Sequence, residues 1–124
     1  METPPVLIVE DDESIRELYT AAFKAAQITV ITAADGQAGL ALALEHHPSV
    51  ILIDIMMPKQ TGLETIEKLR LDSWGKTAKV VYLTNMSDPT NVSGAVKNGS
   101  DDYIVKSNTE PKEVVNRVRT IMHQ

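Results

Sequence analysis

The chain has 124 residues, 43% of them apolar and 23% charged, which is the composition of one globular domain, expected over residues 1–124, and excludes a disordered or collagen-like chain. It contains no cysteine, so a disulfide scaffold and every thiolate zinc site are excluded. With 12 Lys and Arg against 17 Asp and Glu the net charge is −5, which argues against direct nucleic-acid binding; lacking a signal-like start or a membrane-length apolar stretch, the chain is expected in the cytoplasm, with no membrane contact.

The first apolar run, Val6-Leu7-Ile8-Val9, is strand-sized and rich in β-branched residues. It leads into Glu10-Asp11-Asp12, where Asp11 or Asp12 can cap the next helix. That helix is read from the 3.6-residue stripe Ile15, Leu18, Tyr19, Ala22, Phe23 and Ala26. The second run, Thr29-Val30-Ile31-Thr32, interleaves threonines as an edge strand does. A helical segment over 37–46 starts after Gly36 and ends at His46 and His47, read as solvated charges at a helix C-terminus. The third run, Val50-Ile51-Leu52-Ile53, ends in Asp54, and a helical segment over 63–71 follows Gly62. Trp74 reads as a loop residue with no assigned role. The fourth run, Val80-Val81-Tyr82-Leu83, ends in Thr84, and Asp88-Pro89 and Asn98-Gly99 bracket a helical segment over 89–97. The fifth, Tyr103-Ile104-Val105, ends in Lys106 and precedes a last stripe of Val114, Val115, Val118, Ile121 and Met122.

This (βα)5 alternation implies a parallel sheet with right-handed crossovers and helices on both faces. The first, third and fourth runs are continuously apolar, as strands covered on both faces are. The expected fold is therefore a flavodoxin-like α/β three-layer sandwich of strand order 2-1-3-4-5, with its ligand site beyond the carboxyl ends of strands 1 and 3. Glu10, Asp11, Asp54, Thr84 and Lys106 all fall on that edge. Each has an ordinary reading alone: Asp54 as a turn former, Thr84 as a strand former, Lys106 as a solvated charge. Their coincidence on one edge argues for a site. Three carboxylates so close should raise one another's pKa unless a cation joins them, and oxygen donors with room for water suit Mg²⁺.

Four stretches carry a family resemblance: Val6 to Asp12, Asp54-Ile55-Met56-Met57-Pro58-Lys59-Gln60-Thr61-Gly62, Val81-Tyr82-Leu83-Thr84, and Gly99 to Lys106. In this order they resemble the receiver (response regulator) domain of two-component signal transduction, the CheY-like family, over nearly the whole chain. The resemblance implies a phosphorylation-dependent signalling switch that catalyses only its own phosphoryl transfer and dephosphorylation. Asp54 is then the phosphoacceptor for a phosphohistidine on a sensor histidine kinase or phosphotransfer protein. Asp11, Asp54 and the Met56 carbonyl would ligate Mg²⁺, with Glu10 acting through water. Lys106 and Thr84 would contact the phosphoryl oxygens, and Thr84 and Tyr103 would move together as the switch. The face made by the fourth helical segment, the fifth strand and the last helix would then control a downstream effector protein or a phosphorylation-dependent homodimer.

Several positions depart from that family. Ser107 follows Lys106 where proline, usually cis, is common, and the segment to Pro111 is one residue longer; a non-proline cis bond costs about 2.5 to 4 kcal/mol, so a trans bond is expected. Met56 and Met86, two residues beyond Asp54 and Thr84, cannot orient an attacking water by strong hydrogen bonds, which predicts a long-lived phosphoryl group. Asn85 replaces a small residue and narrows access for phosphodonors. Asp101 and Asp102, with Arg117 and Arg119, resemble part of a charged dimer face, though solvated charges are the simpler reading. Two alternatives remain: a degenerate receiver acting as a phosphorylation-independent binding module, and a Mg²⁺-dependent phosphatase-like hydrolase. The hydrolase needs a second acid close behind its nucleophile, and Asp54-Ile55-Met56 lacks one.

Overall fold

The computed structural model describes residues 4–84 and 101–124. Its five strands are β1 (Val6–Val9), β2 (Val30–Ala33), β3 (Val50–Asp54), β4 (Val80–Thr84) and β5 (Asp102–Val105). All pairings are parallel and the order is β2-β1-β3-β4-β5, the expected doubly wound arrangement. The described α-helices are α1 (Glu13–Ala25), α2 (Gly36–His46), α3 (Gly62–Leu69) and a C-terminal helix (Pro111–Met122). The expected helical segment over 89–97 lies outside the described residues, as do Asn85 and Met86.

Strand side chains alternate between the two faces of a sheet, and here both faces are dry. Leu7, Val9, Ile51, Ile53 and Tyr82 pack with Ala43, Ile66 and Leu69 of α2 and α3. Val6, Ile8, Leu52, Leu83 and Ile104 pack with Tyr19 and Phe23 of α1 and with Val114, Val118 and Ile121 of the C-terminal helix. This is why the central strands carry no polar alternation. β2 pairs only with β1 and is partly exposed, so it is an edge.

Local chemistry sets the helix ends. The Asp12 carboxylate accepts from the Ile15 N–H at 3.0 Å, which identifies it as the α1 cap and leaves Asp11 free of that duty. The Asp35 carboxylate caps α2 by accepting from the Ala38 N–H, and Thr61 and Glu64 form a reciprocal capping box on α3. Pro111 occupies the first turn of the C-terminal helix. At its other end Lys79 Nζ donates to the carbonyls of Ile121 and Gln124, each at 3.0 Å.

Four details differ from the sequence reading. Leu18, placed on the buried stripe of α1, is 54% exposed; Tyr19 and Phe23 fill the face that meets the sheet. The helix expected to reach residue 71 ends at Leu69, where the backbone bonds shorten to three-residue spacing, Leu71 N–H to the Lys68 carbonyl at 3.1 Å and Asp72 N–H to the Leu69 carbonyl at 3.0 Å; the Arg70 guanidinium donates to the carbonyls of Gly75 and Ala78 at 2.7 and 2.8 Å. Trp74 stacks on His47 with ring centroids 4.3 Å apart and planes 7° from parallel, so neither ring is merely solvated. Arg117 forms a two-pronged bond to Asp102, and Asp101 accepts from the Val80 N–H at 2.9 Å; these charges join elements of the fold. The Lys106–Ser107 bond is trans, as expected.

Candidate functional site

The carboxyl ends of β1 and β3 are neighbours because the sheet order reverses there: Val9 pairs with Ile53, so Glu10 and Asp54 emerge side by side. Both are buried, Glu10 at 1% exposure and Asp54 at 4%, whereas Asp11 is exposed. Oxygen atoms of Glu10, Asp11 and Asp54 lie within 4.8 Å of one another. From the far side of the sheet Lys106, directly after β5, extends its ammonium to Glu10 Oε2 at 3.0 Å and Asp54 Oδ2 at 3.2 Å. Lys106 keeps this aim with Ser107 behind it, the bond between them being trans.

Backbone donors complete the floor. The Met56 N–H donates to Asp54 Oδ1 at 3.1 Å, and the Asp12 N–H to Glu10 Oε1 at 3.2 Å. Gly62 opens α3 hard against the end of β3: a Cβ there would lie 2.3 Å from the Asp54 carbonyl oxygen. Sequence reading missed Arg16, whose Nη1 donates to the Glu10 carbonyl at 2.8 Å and ties the β1–α1 turn to the helix. A cation in the first turns of a helix opposes the macrodipole, and that misfit is the signal that points to it.

Thr84 ends β4, fully buried, one position beyond the Leu83 that pairs with Asp54. Tyr103 stands on β5, partly buried, with its carbonyl accepting from Arg117 Nη2 at 3.4 Å. The Met56 side chain is 64% exposed. Of the expected residues, Glu10, Asp11, Asp54 and Lys106 form one tight group, and Thr84 and Tyr103 stand on β4 and β5.

Electrostatics follow from the burial. The Glu10 carboxyl is pushed up to about 7, first by burial and next by the Asp54 charge, against the pull of Lys106. Asp54 is also raised, again by burial first, while Lys106 and the Met56 N–H oppose the rise. The effect is one-sided: the Asp54 charge raises Glu10 after burial, whereas Glu10 lowers Asp54 through a side-chain hydrogen bond, so the expectation that the carboxylates raise one another holds for Glu10 and not for Asp54. Burial works to lower the Lys106 ammonium, yet Asp54 and Glu10 outweigh it and hold its pKa above the ordinary value. Among the described residues one ammonium thus faces two buried acids, and the exposed Asp11 carboxylate lies beside them. Such a set of hard oxygen donors, short of positive charge, fits a divalent cation of the Mg²⁺ class.

A family model described as the response regulator receiver domain matches residues 6–119. The chain is 32% identical over 124 residues to a probable transcriptional regulator, ycf27, of Porphyridium aerugineum, covering 100% of this chain and 50% of that protein. It is 34% identical over 119 residues to the transcriptional regulatory protein SrrA of Staphylococcus aureus, covering 96% of this chain and 48% of that one. The chain spans about half the length of the curated relatives it matches. Among solved structures, the chemotaxis protein CheY4 of Vibrio cholerae superposes with a TM-score of 0.89 at 29% identity, covering 97% of this chain and 99% of that one. No helix among the described residues is long and apolar enough to cross a membrane.

Proposed function

This chain belongs to the response regulator receiver domain family of two-component signalling, and from that premise we propose that it is a phosphorylation-dependent switch whose phosphoacceptor is Asp54. The observation that carries this reading is the cluster of three carboxylates, Glu10, Asp11 and Asp54, of which the two buried ones, Glu10 and Asp54, both meet the Lys106 ammonium. A carboxylate oxygen of Asp54 forms a bond to the phosphorus of a phosphohistidine on a histidine kinase or phosphotransfer protein. The phosphorus–nitrogen bond breaks, and the imidazole leaves with the electron pair and takes a proton from solvent.

Asp11, Asp54 and the Met56 carbonyl would hold Mg²⁺, with Glu10 acting through water; when bound, the ion offsets the negative charge of the transferring group. Lys106 holds the Asp54 oxygen in place before transfer and turns its ammonium to the phosphoryl oxygens afterwards. Thr84, at the end of the adjacent strand, offers its hydroxyl to the same group. The added group brings about −1.5 to −2 charge, and the coupled movement of Thr84 and Tyr103 carries the change toward β5 and the C-terminal helix. That face then controls a downstream effector or pairs with a second copy of the chain.

The test is intact-mass spectrometry after treatment with acetyl phosphate, with and without Mg²⁺. An adduct of about 80 Da, the mass of one phosphoryl group, is expected in Mg²⁺ and absent in Asp54→Asn. If the wild type gains none, or Asp54→Asn gains it equally, the assignment is wrong. In the beryllium fluoride complex Tyr103 is expected to change rotamer; one rotamer in both states removes it from the switch.

A further inference from the structure

We propose that the Met56 thioether is an oxidation site at which a hydroperoxide shortens the lifetime of the phosphoryl group on Asp54; the effect on lifetime rests on the phosphoacceptor reading above. Two adjacent methionines differ sharply in access: Met56 is 64% exposed and Met57 only 6%. The exposed one sits at the mouth of the acidic site, its own N–H donating to Asp54 Oδ1 at 3.1 Å. A single exposed apolar side chain is ordinary on a protein surface; what sets Met56 apart from the exposed Leu18, Leu44 and Leu71 is its backbone hydrogen bond to the Asp54 carboxylate.

The chemistry balances simply. A lone pair of the sulfur attacks the terminal peroxide oxygen, the sulfur–oxygen bond forms as the oxygen–oxygen bond breaks, and water or an alcohol leaves after proton transfer. The sulfur loses two electrons and the hydroperoxide gains them. The product replaces a thioether, a poor hydrogen-bond acceptor, with a polar sulfoxide. Hydrolysis of a phosphoaspartate needs water held beside the phosphorus, and an apolar side chain at the mouth does not hold it. A sulfoxide oxygen two residues from Asp54 accepts a hydrogen bond from that water. One added net hydrogen bond in the transition state corresponds to a rate increase of about fivefold.

The experiment treats the purified full chain with hydrogen peroxide and follows two readouts. Peptide mass spectrometry is expected to show a gain of about 16 Da at Met56 well before Met57. Loss of the phosphoryl group, introduced with acetyl phosphate in Mg²⁺, is expected to become about fivefold faster after oxidation, whereas in Met56→Leu peroxide leaves the decay rate as it was. Equal oxidation of Met56 and Met57 overturns the proposal. So does an unchanged decay rate in oxidised wild type, or an equal acceleration in Met56→Leu, which would trace the effect to another methionine. If no variant takes up a phosphoryl group, the phosphoacceptor reading fails and the effect on lifetime falls with it. Oxidation at Met56 then still reports on its exposure, so the two failures are distinguishable.

Discussion

Replacing Lys106 with methionine keeps the length and much of the volume of the side chain while removing the ammonium that faces Glu10 and Asp54. At 3.0 and 3.2 Å each attraction amounts to roughly 5 kcal/mol with an effective permittivity of about 20. The cost of taking the charges out of water cancels most of that gain, and breaking a buried ion pair from one side typically costs about 3 to 5 kcal/mol. Relaxation toward solvent through the exposed Asp11 side of the site favours the low end, about 3 kcal/mol. For 124 residues the unfolding entropy is about 0.26 kcal/mol per kelvin, so Tm should fall by about 11 °C. The loss should depend on pH. At about pH 8 in chelator the Glu10 left behind is charged and the full effect appears, whereas at about pH 5.5 Glu10 holds its proton and part of the loss vanishes. Urea melts of wild type and Lys106→Met at both pH values supply the comparison. An equal loss at the two would mean that the packing of the butyl stem matters and the charge does not, and would refute the electrostatic account.

Two further outcomes follow from the same geometry. Glu10 titrates at about 7 in the fold against an ordinary 4.5, so the native state holds the extra proton between these values and the stability it confers is lost as pH rises through that window. Metal-free wild type should therefore lose stability from about pH 5 to about pH 8 more steeply than Glu10→Gln, and parallel pH profiles would contradict the raised value. Gly62→Ala places a methyl 2.3 Å from the Asp54 carbonyl, which must displace α3 or the end of β3. A loss of about 1 to 3 kcal/mol is expected, together with slower phosphorylation by acetyl phosphate; a variant that matches wild type in both would show that the turn yields freely.

Burial makes the charged forms of Glu10 and Asp54 the costlier ones, which is why both carboxyls are raised. That cost is lowered by positive charge, whether from Lys106 or from a divalent ion, so binding of a cation is coupled to stability. Arg16 contributes differently: it engages the Glu10 carbonyl and fixes the turn that presents the side chain.

Sequence alone determined the alternation of strands and helices, because covered parallel strands read as unbroken apolar runs such as Val6 to Val9 and amphipathic helices show their 3.6-residue period. It also determined which chemistry stands on the ligand edge, since Glu10, Asp54, Thr84 and Lys106 each directly follow or end such a run and Asp11 comes one residue after Glu10. It did not reveal Arg16 beneath Glu10, the stack of Trp74 on His47, or the pairing of Arg117 with Asp102, because each joins elements brought together by turns and packing that no local period encodes. Nor did it separate Asp11 from Asp12, as either fits the cap by residue type; the φ and ψ of the turn gave that duty to Asp12. Tertiary structure alone decided the electrostatics of the site. Charge repulsion can be foreseen from spacing, but the desolvation that dominates at Glu10 and Asp54 depends on how completely the layers above and below exclude water.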